Sequence, residues 1–193
     1  MLSWRKKNLT GGDADAAKGH IGAMSTAVPR LSSSSAIALA AFAIAAVAGL
    51  AVGGALVFEH VFGYVPCMLC LWERWPYYLG APLALVAGVL ALGGRLGPAK
   101  LILAVAGALF LGNALLGAYH AGVEWSFWPG PASCAGANAA PTAAGGLLEQ
   151  MRATRIVPCD AAAWRLFGIS LAGYSALISA ALAGLAAYGL TRR

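Results

Sequence analysis

The sequence predicts an all-α membrane protein, a four-helix transmembrane bundle with two loops on its outer face. Three observations predict it. Of 193 residues, 60% are hydrophobic and 10% are charged, against roughly 45–50% and about 25% in ordinary soluble domains. Four uncharged runs are each long enough to cross about 30 Å of hydrocarbon at about 1.5 Å per helical residue. The alternation of period 2 that a membrane β-barrel needs is absent, so backbone groups inside a bilayer must be satisfied within helices. The same composition excludes an ordinary soluble domain and a disordered chain.

Residues 1–35 mix Gly, Ser and scattered charge and are expected to be a disordered cytoplasmic tail. The first span, 36–58, exceeds the apolar stretch of about 7–15 residues in a signal peptide and reads as an uncleaved anchor. The second span, 75–94, and the third, 101–120, are joined by a short hairpin marked by Gly93, Gly94, Gly97 and Pro98. The fourth span covers 168–190, and 191–193 form the C-terminus. Gly49, Gly53 and Gly54 in the first span and Gly107 and Gly112 in the third are expected to let helix backbones approach closely. Between the third and fourth spans, residues 135–157 are rich in Ala, Gly, Pro and Thr, a flexible stretch in which 147–152 has the pattern of a short amphipathic surface helix.

The charges orient this arrangement. Nine Lys and Arg residues lie in the N-terminal tail, the hairpin and the C-terminus; Arg74, Arg152, Arg155 and Arg165 are the four on the opposite side. By the positive-inside rule both termini are cytoplasmic. The formal charge of +6 splits into +7 inside and −1 outside. The basic balance is thus topology, which removes nucleic acid as a partner and leaves membrane lipid.

Cys67, Cys70, Cys134 and Cys159 all fall in the two outer loops. An oxidising compartment such as the bacterial periplasm favours disulfides, and the simplest pairing is Cys67 with Cys70 and Cys134 with Cys159. Closing the second loop, about 25 residues, is worth about 3 kcal/mol in the chain-entropy account, so a structural role suits that pair. A C-x-x-C bridge closes too small a ring to be a useful staple and suits a dithiol that cycles between two states. No metal is expected, because the second pair is separated by 24 residues rather than the short spacing of zinc knuckles. Covalent haem fails because Leu71, not His, follows Cys70. Cys70 stands where the second span begins, so helix N-terminal amides can favour its thiolate, and Arg74, four residues on, shares its helix face. Trp72, Trp75, Trp125, Trp128 and Trp164, with Tyr64, Tyr77, Tyr78 and Tyr119, gather on the outer side as an interfacial belt.

Pro66-Cys67-Met68-Leu69-Cys70 followed by Glu73-Arg74, then 119–125 (Tyr-His-Ala-Gly-Val-Glu-Trp) leading to Cys134, and Pro158-Cys159-Asp160 before the last span resemble the DsbB family. These are bacterial inner-membrane proteins that oxidise DsbA-type thioredoxin-fold proteins and pass the electrons to a quinone. The resemblance runs from about residue 36 to 190. It implies that Cys134 forms the mixed disulfide with the partner, that Cys159 is its mate, that Cys67 exchanges with this second pair, and that Cys70 reacts with the quinone, ubiquinone or menaquinone. It places Arg74, His120 and Glu124 near the quinone, Glu124 standing where some members carry glutamine, with His60 a weaker candidate and the outer aromatic rings a suitable niche. The loops would then be periplasmic. Two other classes compete: a vitamin K epoxide reductase-like enzyme, whose C-x-x-C lies in a late helix, and a membrane scaffold with two static disulfides.

Overall fold

A computed structural model describes residues 32–131, 155–156 and 158–192. Most of the expected N-terminal tail, Cys134 and the expected surface helix at 147–152 lie outside the described residues. Four helices are long and apolar enough to cross a membrane: α1 (Ser33–His60), α2 (Met68–Leu92), α3 (Leu96–Glu124) and α4 (Leu171–Thr191). Four two-residue strands complete the described elements: β1 (Tyr64–Val65) between α1 and α2, then β2 (Arg155–Ile156), β3 (Arg165–Leu166) and β4 (Ile169–Ser170) between α3 and α4.

The helices run past the apolar segments that announce them, because a hydropathy count stops at the first charge whereas a helix stops at its cap. α2 begins at Met68, seven residues before the expected span, with Cys67 as its N-cap. Glu73 and Arg74 therefore sit on a helix. α3 begins at Leu96, so Gly97 and Pro98 lie in its first turn and not in the hairpin. Proline is tolerated there because the first amides of a helix have no intrahelical acceptor. The hairpin is reduced to Gly93, Gly94 and Arg95, with Gly94 at φ +74° in the left-handed region that glycine enters freely. α4 starts three residues later than expected, at Leu171, capped by Ser170, whose hydroxyl accepts from the Gly173 amide at 3.2 Å. Gly168 instead turns the β3–β4 hairpin together with Phe167, both at positive φ.

Each helix packs chiefly on two neighbours, in the cyclic order α1, α2, α3, α4. The main core is built of small residues and a few large ones: Ala38, Ala41, Ala84, Ala87, Ala106 and Ala186 surround Ile37, Ile44, Leu103 and Phe110. Close approach comes from glycines other than most of those expected. A Cβ on Gly117 would stand 2.9 Å from the Ala176 backbone nitrogen, and one on Gly80 would stand 2.5 Å from the Phe110 ring. Gly107 does pack closely: a Cβ there would stand 2.9 Å from the Ala186 methyl. Gly49, Gly53, Gly54 and Gly112 have nothing within 4 Å: Gly49, Gly53 and Gly112 are exposed, and Gly54 borders a cavity. In mid-bundle the Tyr77 hydroxyl lies 2.7 Å from Ser179 Oγ and donates to the Ser175 carbonyl at 3.1 Å, while Asn113 Nδ2 donates to Ser179 Oγ at 2.9 Å. This ties α2, α3 and α4 together and removes Tyr77 from the expected interfacial belt. Trp72, Trp75, Trp125, Trp128 and Trp164 are exposed at the cysteine end.

Candidate active site

The site grows from the first turn of α2. Cys67 has the extended backbone of an N-cap, and its sulfur accepts from the Cys70 amide at 3.2 Å. Helical rise brings the second sulfur back over the first, and the two thiols share a hydrogen bond at 2.9 Å. Both are free cysteines. One turn on, the buried stripe Leu69, Glu73, Tyr77 faces α3, from which His120 projects. His120 Nδ1 lies 2.6 Å from Glu73 Oε1, and its Nε2 lies 3.7 Å from Cys67 Sγ. A carboxylate only accepts, so Nδ1 carries the proton and Nε2 is the nitrogen turned to sulfur. His120 and Glu73 are 2% and 5% exposed, which keeps their pairing out of competition with water. The Cys67 thiol is held well below the ordinary cysteine value, to about 4. Its hydrogen bond with the Cys70 thiol is the largest cause; His120 and the Cys70 amide add to it, and burial opposes.

A second strand of chain reaches this point from far away in sequence. β1 pairs in parallel with β2, Tyr64 opposite Arg155 and Val65 opposite Ile156. Both chains leave that ladder in the same direction, so Cys67, two residues past Val65, and Cys159, three past Ile156, emerge at the same end. Cys67, Leu69 and Cys159 form one buried cluster with Cys70 and Leu116 packed against it. Cys159 is disulfide-bonded and 1% exposed.

On the other side of the thiols lies a cavity of about 280 Å³ between α1, α2 and α4. Leu50, Phe58, Tyr64 and Ile178 are among its largely apolar walls, and Cys70, Glu73, Arg74 and His120 form a polar corner. Arg74 Nη1 is ion-paired with Glu59 Oε2 of α1, and Nη2 donates to the Ala55 carbonyl at 3.5 Å. The guanidinium thus closes the corner by joining α1 to α2.

Two thiols at a helix N-terminus, a disulfide-bonded cysteine beside them and a largely apolar cavity thus meet at one end of a bundle of membrane-length helices. Residues 37–189 match the family described as disulfide bond formation protein DsbB. The chain belongs to the DsbB family. An uncharacterized protein of Rickettsia prowazekii (strain Madrid E) is 30% identical over 138 residues, 69% of this chain and 76% of the relative. No solved structure matches the chain. As a DsbB-family chain it is a multi-pass membrane oxidoreductase of disulfide-bond formation.

The DsbB-family structure brings together Cys67, Cys70, Cys159 and His120, with Arg74 one turn from Cys70 and on the same cavity. Cys134 lies outside the described residues. Glu124 ends α3, is 9% exposed with Oε2 unpartnered, and does not line the cavity. His60 is exposed and also off the cavity. The helix N-terminus serves Cys67 as its cap rather than facing Cys70 as expected, because α2 starts at Met68. Arg74 pairs with Glu59 rather than standing as a free charge beside Cys70. Sequence reading missed Glu73 and Glu59 as partners. The spacing of Leu69, Glu73, Tyr77 and Gly80 at three and four residues is the signal for Glu73, since it puts a carboxylate in a buried stripe.

Proposed function

We propose that this DsbB-family chain is a membrane thiol oxidase that reoxidises a DsbA-like thioredoxin-fold protein and passes the electrons to a quinone, ubiquinone or menaquinone. One observation carries the reading: the free Cys67 and Cys70 pair stands between buried, disulfide-bonded Cys159 on one side and a largely apolar cavity on the other. That is the placement a relay needs between a water-soluble thiol and a lipid-soluble acceptor.

A thiolate of the reduced partner attacks the second disulfide, assigned to Cys134 and Cys159. One S–S bond breaks as a mixed disulfide with Cys134 forms, and the partner's other thiol resolves it, leaving two electrons and two protons on Cys134 and Cys159. A second exchange restores that disulfide and transfers the electrons to Cys67 and Cys70. His120 Nε2 is placed to hold the Cys67 proton, and Glu73 fixes the ring that holds it. The cavity fits a flat apolar ring: Gly54 lines it and leaves open space where a side chain would stand. Cys70, Arg74 and His120 would hold a quinone at the polar corner. When bound it supplies a two-electron, two-proton acceptor.

The distribution of Lys and Arg supports a bacterial inner-membrane location with both termini cytoplasmic and the cysteine end periplasmic. Purified full-length protein with quinone should reoxidise a reduced DsbA-like protein, and Cys70→Ser should bring quinone-dependent turnover to background while the chain stays folded and monodisperse. Full turnover in both Cys70→Ser and Arg74→Ala sinks the proposal.

A further inference from the structure

No histidine lies at short sequence spacing from Cys67 and Cys70, but the fold brings one from another helix. Cys67 Sγ, Cys70 Sγ and a ring nitrogen of His120 all lie within 4.8 Å of one another. We propose that the dithiol form of this centre is a zinc site, with Cys67, Cys70 and His120 as protein ligands and the fourth position open toward the cavity. Two thiolates and one imidazole form a donor set that Zn²⁺ accepts at catalytic and regulatory sites with one open position.

For tetrahedral zinc, with Zn–S of about 2.3 Å and Zn–N of about 2.0–2.1 Å, a sulfur and a nitrogen ligand stand about 3.6 Å apart and two sulfurs about 3.8 Å apart. Cys67 Sγ and His120 Nε2 are already 3.7 Å apart. The sulfurs, at 2.9 Å, need to open by about 0.9 Å, which rotation of the half-buried Cys70 side chain at its cavity wall supplies. The outer shell is also that of a metal ligand. The histidine's distal nitrogen is held by a carboxylate, Glu73 at 2.6 Å, which fixes the tautomer with Nε2 free to ligate. The Cys70 amide donates to Cys67 Sγ and stabilises sulfur carrying negative charge. Binding exchanges two protons for one Zn²⁺, one from Cys70 Sγ and one shared by Cys67 and His120 Nε2, and changes no oxidation state; both protons leave to water. Oxidation to the Cys67–Cys70 disulfide removes both thiolates and with them the site.

The consequence for turnover rests on the oxidase reading above: zinc holds the electron-loaded dithiol and blocks its oxidation, so micromolar Zn²⁺ should inhibit quinone reduction until a chelator is added. Metal binding itself does not rest on that reading, and it is measured without partner or quinone. Full-length protein in detergent, reduced and freed of reductant, is titrated with Zn²⁺ against a chromophoric chelator and, separately, with Co²⁺. One Zn²⁺ per chain is expected, with the intense thiolate-to-cobalt absorption of a two-sulfur tetrahedral site. Both should persist in the Cys134→Ser/Cys159→Ser chain and vanish on oxidation. Glu73→Gln should weaken zinc binding about 10–100-fold, and Cys67→Ser or His120→Ala by at least as much. No zinc bound by the reduced wild-type chain, binding lost in the Cys134→Ser/Cys159→Ser chain, or unchanged affinity in both Cys67→Ser and His120→Ala overturns the site. Zinc bound as expected by a chain that fails to oxidise a reduced partner overturns the oxidase reading and leaves the metal site standing.

Discussion

In the hairpin half of the bundle the buried positions are filled by Ala38, Ala41, Ala87, Ala99 and Ala186 around Ile37, Ile44 and Leu103. At the cysteine end they are filled by Cys67, Glu73, His120, Glu124 and Cys159. The two regions share the same four helices but rest on different physics. Where alanine and glycine meet, backbones come close and dispersion over many contacts holds them, since lipid offers little hydrophobic drive for helix association. Where charged and sulfur groups are buried, every polar atom needs a partner, and Glu73 finds His120 while Arg74 finds Glu59. The first region supplies rigidity without chemistry; the second holds chemistry in place because the first is rigid. The two contributions separate experimentally.

The largest expected contrast is in thiol reactivity. Cys67 is held to about 4 by its hydrogen bond with Cys70 and then by His120. A lowered value means that the thiolate is present above it and disappears only as pH falls through it. Iodoacetamide labelling of Cys67 in the dithiol form, followed by mass spectrometry of its peptide, should therefore be nearly flat from pH 8 to pH 6. An ordinary cysteine of pKa about 8.5 loses nearly a hundredfold over that interval. The slope is the test and not the absolute rate, because intrinsic nucleophilicity falls with pKa. Cys70→Ala, which removes the side-chain donor that a serine would keep, should restore much of the ordinary slope. A wild-type profile that drops tenfold per unit breaks the claim that the cysteine end tunes its sulfur.

The next effect lies in the packed region. Gly117→Ala puts a methyl 2.9 Å from the Ala176 backbone nitrogen, where no side chain can rotate away, whereas Gly112→Ala meets nothing within 4 Å. The first should cost about 1–3 kcal/mol as overpacking. Thermal unfolding in detergent should separate the two variants, and equal midpoints would show that α3 and α4 do not rely on close contact at Gly117.

The contrast also explains what could be read in advance. Four spans follow from uncharged length, and the shared end of Cys67, Cys70 and Cys159 follows from the number of spans between them, because both are properties of composition along the chain. The helix starts were misplaced where capping decides them: Cys67 caps α2 with sulfur, and no hydropathy run shows it. Glycine spacing could not tell lipid-facing Gly49 and Gly53 from interlocked Gly80 and Gly117, since each helix is apolar all round and has no polar face to orient it. The meeting of Cys67 with Cys159 depends on a two-residue parallel ladder joining segments about ninety residues apart. Its one trace in the sequence is that Val65-Pro66-Cys67 is repeated as Val157-Pro158-Cys159.

The smallest effect probes the layer between the two regions. Tyr77 is 5% exposed, and its hydroxyl reaches Ser179 Oγ and the Ser175 carbonyl. Tyr77→Phe keeps the ring against Phe110, 5.7 Å between centroids, and removes only the oxygen. Ser179 keeps its bond from Asn113, and its hydroxyl, which loses Tyr77 as acceptor, can turn to the Ser175 carbonyl one turn back in α4, so no buried group is stranded. Hydrogen bonds between membrane helices average about 0.6 kcal/mol because the separated helices find other partners, and Tyr77→Phe should cost about that much in detergent unfolding. Thiol reactivity at Cys67 should not change. A loss well above about 2 kcal/mol, beyond the largest such bonds, or a shift in the Cys67 labelling profile would mean that the polar layer is mechanically continuous with the cysteine end, and that the two regions cannot be perturbed one at a time.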